Sequence, residues 1–405
     1  MKSFFYKSLF VACVSTAVSD AFSLYDSAPI VGLPESYNLR YEASVRLGYD
    51  SNVNWSDSNE DGSVYVNASV GARYADMESV SKLNYSVRLG ATQYFGVESN
   101  SAVAETRGDC RLSAGMVHAF GPSDTLSSSL NVTYSPQPDY SDGYSPAYSL
   151  GDMLSSSLVN LYSHALDSRW SVNGSVSFSS INYMEDVERC DDRYYIQTGV
   201  GAQYKESSLL TYKVDLRYAR ELREEGLDSD RLSMTVGVQR ALDPFSSIGA
   251  NAGMQVRMFS SESKFSPCAD FSYRRKMSEG LNARVFCSLS DENVGTSTVY
   301  RGMNQTYLTN MAVRFGANLS YVLSPDVSYT FGTAFVVNNY SDSNVGAEDY
   351  TTYRYDINGG LIYSFTPSLS GSLNVSYSFL SREYERMEGI DVSRWNVSVG
   401  LVYKF

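Results

Sequence analysis

A transmembrane antiparallel up-and-down β-barrel of about 18 strands is the fold this sequence predicts, with sixteen as the alternative count. Three observations predict it. From residue 38 to residue 405, segments of about a dozen residues alternate apolar and polar side chains, which places one set on each face of a sheet. The breaks between segments alternate between short and long, so turns gather at one end of a barrel and loops at the other. The composition agrees: 33 tyrosines, 13% aromatic and 19% charged residues, and no apolar run beyond the start that nears the ~20 residues of a spanning helix. Disorder is excluded by the same aromatic content.

The start of the chain reads as an address. Lys2 and Lys7 flank an uncharged stretch, Leu9 to Val18 form a short apolar core, and Ser19-Asp20-Ala21 suits cleavage after Ala21. Residues 1–21 are therefore expected to be a secretory signal peptide, 22–37 a periplasmic lead-in carrying Pro29 and Pro34, and 38–405 the barrel. Cys13 faintly resembles a lipoprotein site, but the apolar stretch before it is too short.

The strands follow in order. Tyr41, Ala43, Val45, Leu47 and Tyr49 form the first apolar face; Val64, Val66, Ala68, Val70, Ala72 and Tyr74 the second; Leu83, Tyr85, Val87, Leu89 and Ala91 the third. Ile248 to Met258 and Val327 to Val337 repeat the pattern. Short breaks fall near 76–80, 121–124, 167–168, 205–208, 242–244, 277–280, 324–326 and 366–368. Long ones fall near 50–61, 96–105, 135–151, 184–192, 221–229, 260–264, 291–305, 339–350 and 381–390. Segments 152–165 and 266–276 alternate least cleanly. A soluble sandwich is disfavoured, because its strands run to about 5–6 residues and it has nowhere to hide so many apolar stripes. Lipid covers those stripes, and closure pairs the backbone groups that lipid cannot.

Two short segments carry resemblances. Val397, Val399, Leu401, Tyr403 and Phe405 alternate to a terminal aromatic residue, which resembles the signal read by the bacterial outer-membrane assembly machinery. Gly48-Tyr49-Asp50-Ser51-Asn52-Val53 resembles the opening of β-barrel porin family 2. That resemblance implies the fold and an outer-membrane location, with exopolysaccharide export among the family's associations, and no particular substrate.

Charge divides into two zones. The net charge is −13, yet basic residues recur out of phase with the apolar face, where they would line a lumen. Arg46, Arg73, Arg88, Arg111, Arg169, Lys213, Arg217, Arg257, Arg284, Arg314, Arg354 and Arg394 are the pore-lining candidates, joined by Arg274 and Lys205. Inward acids are fewer: Glu42, Asp109, Asp215, Asp270 and Asp356. The remaining acids, such as Asp57, Glu60, Glu185, Asp192, Glu221, Glu224 and Glu383, gather in the long loops. Rings of Arg and Lys favour anions. The competing reading is that these arginines stiffen the wall by pairing with acids.

Other chemistry is thin. The chain has two His, His118 and His164, both at the short-turn end, and lacks G-x-S-x-G, H-E-x-x-H and P-loop patterns, so no enzymatic activity is expected. Asp57 to Gly62 matches half a calcium loop, but Ala68 stands where the bidentate Glu belongs, so neither metal nor cofactor is expected. Of the later cysteines, Cys268 is expected to face inward and Cys287 outward, while Cys110 and Cys190 are better placed to pair.

The leading functional expectation is a porin-like channel for small hydrophilic solutes, with the third long loop, bearing Tyr140, Tyr144 and Tyr148, as constriction. A surface adhesin and a polysaccharide-export barrel are the alternatives. Outer-membrane lipids, lipopolysaccharide and the barrel assembly machinery are the expected partners, and nucleic acid is not.

Overall fold

The computed structural model describes residues 39–53, 60–76, 80–96, 106–135, 153–184, 192–224, 227–260, 262–278, 280–292, 298–300, 303–305, 307–343, 348–384 and 389–405. The expected signal peptide, lead-in, third-loop constriction, Cys190 and the first half of the calcium half-motif lie outside the described residues.

Eighteen antiparallel strands form one closed sheet. They are β1 Leu39–Asp50, β2 Ser63–Asp76, β3 Ser81–Phe95, β4 Thr106–Ala119, β5 Asp124–Ser135, β6 Met153–Ala165, β7 Trp170–Tyr183, β8 Arg193–Lys205 and β9 Leu210–Arg223. The circuit continues with β10 Ser229–Asp243, β11 Ser246–Met258, β12 Ser263–Lys276, β13 Leu281–Asp291, β16 Tyr307–Ser324, β17 Val327–Ser343, β18 Tyr350–Ser364, β19 Leu369–Tyr384 and β20 Ile390–Lys404. A separate hairpin, β14 Thr298–Tyr300 with β15 Met303–Gln305, interrupts the connection from β13 to β16.

The alternation sets which residues face out. Along β1, Tyr41 (51% exposed), Val45 (57%) and Leu47 (58%) stand outside, while Ser44, Gly48 and Asp50 are buried on the inner face. Cross-strand register carries this phase around the barrel, for example Val45 opposite Ala68 and Leu401, and Arg46 opposite Asn67 and Gly400. Side chains directly opposite share a face, so one phase propagates through the whole sheet.

Closure joins the two ends of the chain. β1 pairs with β2 on one side and with β20 on the other, from Glu42↔Lys404 to Asp50↔Asn396. Inside that seam, Arg394 Nε donates to both Asp50 oxygens at 2.8 and 3.0 Å, and Asp50 is fully buried. Asn396 Nδ2 also donates to Asp50, at 3.2 Å, and Tyr65 Oη donates to Asn396 Oδ1 at 2.9 Å. Gly48 is required here, because a Cβ would collide with the Tyr65 ring lying across it.

Several boundaries differ from the sequence expectations, among them Glu383, expected in a loop but paired with Thr351 in β19. Residues 339–343 belong to β17 rather than a loop, since Asn339 and Tyr340 stay paired with Met311 and Asn310. Tyr340 is 1% exposed and stacks on Tyr350 at 4.4 Å, with Tyr307 packed edge-on to both. Glu221, expected in a loop, lies in β9 at 4% exposure, bound by Arg223 at 2.7 Å. The connection at 259–262 spans four residues and is closed by Phe259 N–H donating to the Glu262 carbonyl at 2.8 Å.

Segments 152–165 and 266–276, the two weakly alternating ones, are both strands, β6 and β12. The β12–β13 ladder runs only from Ala269↔Leu289 to Lys276↔Asn282, stopping two residues short of Pro267, which has no N–H to offer.

Candidate functional site on the inner wall

Register places Arg46, Arg73, Arg88, Arg111, Lys213, Arg217, Arg257, Arg284, Arg314, Arg354 and Arg394 on the inner face. Arg169 is a correction. It sits exposed in the turn before β7, where the Asp167 carboxylate accepts the backbone N–H groups of Trp170 (2.7 Å) and Arg169 (2.6 Å) and delays the strand to Trp170. Those two N–H donors also hold the Asp167 carboxyl below its ordinary range.

The inner arginines split into two groups. Near the long-loop end they are engaged by acids. Arg354 pairs with Asp356 at 2.7 Å, Arg257 with Asp291 at 3.4 Å, Arg314 with Glu292, and Arg394 with Asp50. Arg257 and Arg314 were expected to line the lumen. Arg257 is instead 2% exposed, one residue from the end of β11, and it donates to the Glu292 carbonyl at 2.5 Å. The cause is the short β12–β13 ladder: Asp291, itself 1% exposed, folds against the inner wall. It accepts from Asn310 N–H (3.1 Å) and Ser266 Oγ (3.4 Å), while its carbonyl accepts from Gln255 Nε2 (2.7 Å). Sequence reading missed Asp50, Asp291 and Glu292 as partners, because residues at strand ends read as loop.

Deeper in the barrel the arginines face each other. Arg88 lies directly opposite Arg111, and Arg274 directly opposite Arg284. Like charges opposite each other on a sheet repel, so each pair forms a patch of concentrated positive potential on the wall. Arg88 Nε donates to Ser69 Oγ at 3.2 Å, Arg284 lies 5.5 Å over the Phe286 ring, and Arg73 reaches Glu42 at 3.9 Å. Arg217 projects inward from β9, opposite Gly199 and Ser233.

The inward acids sit beside small or polar residues: Asp109 opposite Gly90, Asp215 opposite Gly201, and Asp270 held by Asn251 Nδ2 at 2.8 and 2.9 Å. A third zone was not foreseen. The described inner faces of β5 and β7 carry Thr125, Ser127, Ser129, Asn131, Ser175 and Ser177 and no charge, so a hydroxyl-rich arc separates the arginine-bearing arcs of β1–β4 and β8–β13. His118 faces outward at the short-turn end, where its Nδ1 lies 2.5 Å from Ser81 Oγ. Cys268 faces inward and Cys287 outward, both free. No cluster of metal-ligating side chains occurs among the described residues.

The outer face has a chemistry of its own. Val70, Leu89 and Val200 stand 52–62% exposed near the middle of their strands. Apolar surface on this scale is unfavourable in water and favourable in hydrocarbon. Val70→Arg is expected to cost about 2–4 kcal/mol at a bilayer midplane. The check is a urea titration of vesicle-embedded protein; a cost no larger than that of Arg88→Gln on the inner face would overturn the assigned phase.

No family model matches this chain, and no curated protein matches it. Among solved structures, it is similar in backbone to Pseudomonas aeruginosa OccK9 (OpdG), with a TM-score of 0.47 at 9% identity, covering 91% of this chain and 99% of that one. The outer membrane protein OpdK of Pseudomonas aeruginosa gives 0.45 at 11%, covering 90% and 99%. The siderophore receptor PirA from Acinetobacter baumannii gives 0.47 at 7%, covering 92% and 81%. Likeness this distant leaves function to be read from the chain's own residues.

Proposed function

We propose that this protein is an outer-membrane channel for passive diffusion of small hydrophilic solutes, and that its lumen prefers anions. The observation that carries the proposal is the division of one closed 18-stranded sheet into an apolar outside and a polar, arginine-rich inside. An 18-strand circumference is too wide for side chains alone to fill, so a wall of this polarity suits water. Arg46, Arg88, Arg111, Lys213, Arg217 and Arg284 supply the positive potential in this reading. Arg257, Arg314, Arg354 and Arg394, being engaged by carboxylates, shape the mouth instead. Planar-bilayer recording with a salt gradient tests both parts. Steady ohmic conductance with a reversal potential on the anion side is expected; silence across many insertions would sink the channel reading.

Location follows from the same division. The short turns would face the periplasm and the long loops the lipopolysaccharide-bearing surface. Val397, Val399, Leu401, Tyr403 and Phe405 all point outward, from 38% exposed at Val397 to 69% at Phe405, as a stripe presented to an assembly machine would require. Deleting Phe405 should reduce the heat-modifiable barrel in the outer membrane several-fold while export to the periplasm continues. Normal assembly after that deletion would remove the signal from the account.

A further inference from the structure

At mid-depth most strands present apolar side chains outward, with isolated hydroxyls at Thr198 and Thr333, whereas β5 and β6 present a hydroxyl and an amide side by side. Four to six residues from the short-turn end, outward positions hold Val70, Val87, Val214, Leu319 and Leu373 on other strands. On β5 and β6 they hold Ser128 and Asn160, directly opposite each other, with Ser128 Oγ donating to Asn160 Oδ1 at 2.7 Å. The same face carries a second hydroxyl pair, Ser156 and Ser180, at 2.8 Å across β6 and β7. Gly174 on β7 leaves open space where a Cβ would stand. At the short-turn edge, Asp124 binds His164 at 2.7 Å and accepts from Tyr162.

An amide facing hydrocarbon is costly, and such groups are found where they meet another polar group. Within membranes, small residues and side-chain hydrogen bonds mark the surfaces at which spanning elements associate. We propose that the outer face of β5, β6 and β7 is a self-association surface through which two copies of this chain meet inside the bilayer. The occupant is a second copy because the patch is complementary to itself. The Asn160 amide donates and accepts, so two of them related by a two-fold axis satisfy each other. A two-fold interface presents the same patch from both sides, which such groups suit. The gap at Gly174 lets the partner's wall approach closely.

The proposal rests on the membrane-spanning reading, and its test separates the two. Full-length protein is refolded into vesicles, floated on a density gradient, then extracted in mild detergent and sized by light scattering. The wild type should float and give the mass of a pair, whereas Ser128→Val/Asn160→Leu should float, stay heat-modifiable and fall to the mass of one chain. Protein that does not float overturns the membrane reading, and the proposal with it. A floating wild type with the mass of one chain overturns the proposal alone, as does a pair that survives both substitutions. A raised urea midpoint for Asn160→Leu with no change in mass would mean that Asn160 merely faces lipid.

Discussion

Replacing Arg46, Arg88, Arg111 and Arg217 together by Glu is expected to move the reversal potential from the anion side to the cation side. All four are on the inner face. Each exchange changes the wall by about two charges, so the lumen shifts by about −8 in total. The low dielectric of the surrounding wall focuses that change along the axis. Folding should survive, because lumen positions tolerate charge. Arg88→Glu opposite Arg111 would by itself turn a repulsive pair into an attractive one. A folded quadruple variant with an unmoved reversal potential would assign the arginines to wall architecture and end the selectivity proposal. The single variants Arg257→Glu and Arg314→Glu serve as the contrast. They should lower stability, since each would set a carboxylate against Asp291 or Glu292.

Arg394→Ala should cost about 3–5 kcal/mol, because it leaves the buried Asp50 carboxylate without its cation. Asn396 and the Asn52 N–H, both at 3.2 Å, remain as donors, but neither carries charge. The double variant Asp50→Asn/Arg394→Gln removes both charges and should recover most of the loss. Urea midpoints of the wild type, Asp50→Asn, Arg394→Gln and the double variant measure the coupling directly. Equal destabilisation by the single and the double variant would mean that the pair contributes packing rather than charge compensation.

The strands were legible because lipid-facing sheets impose a strict period of two, and β1, β2 and β3 follow it almost without exception. β6 was hard to read for a reason now visible: Ser156 and Asn160 interrupt its outer face, while Val159 and Leu161 lie on its inner one. β17 was read short because Asn338, Asn339 and Tyr340 are polar or aromatic on both faces, where no lipid demands alternation. For the site, the sequence shows which face an arginine takes, since that depends only on parity. It does not show what the arginine meets. Arg257 finds Asp291 across three strands because the β12–β13 ladder ends early, and such a three-dimensional detour leaves no periodic trace.

The pairing of β1 with β20 has a kinetic consequence. Seventeen of the eighteen seams join consecutive strands of the circuit, so each can zip as a local hairpin while the chain arrives. The last seam couples Asp50 to Arg394 across 344 residues of sequence. Joining ends that far apart in an unstructured chain costs about 5 kcal/mol of entropy, but prior zipping of the hairpins shortens the effective gap. Until β20 docks, the outer edge of β1 is a bare row of donors and acceptors, able to capture any extended strand nearby. Ring closure is thus the step at which folding and aggregation compete, and the strand that wins it is made last.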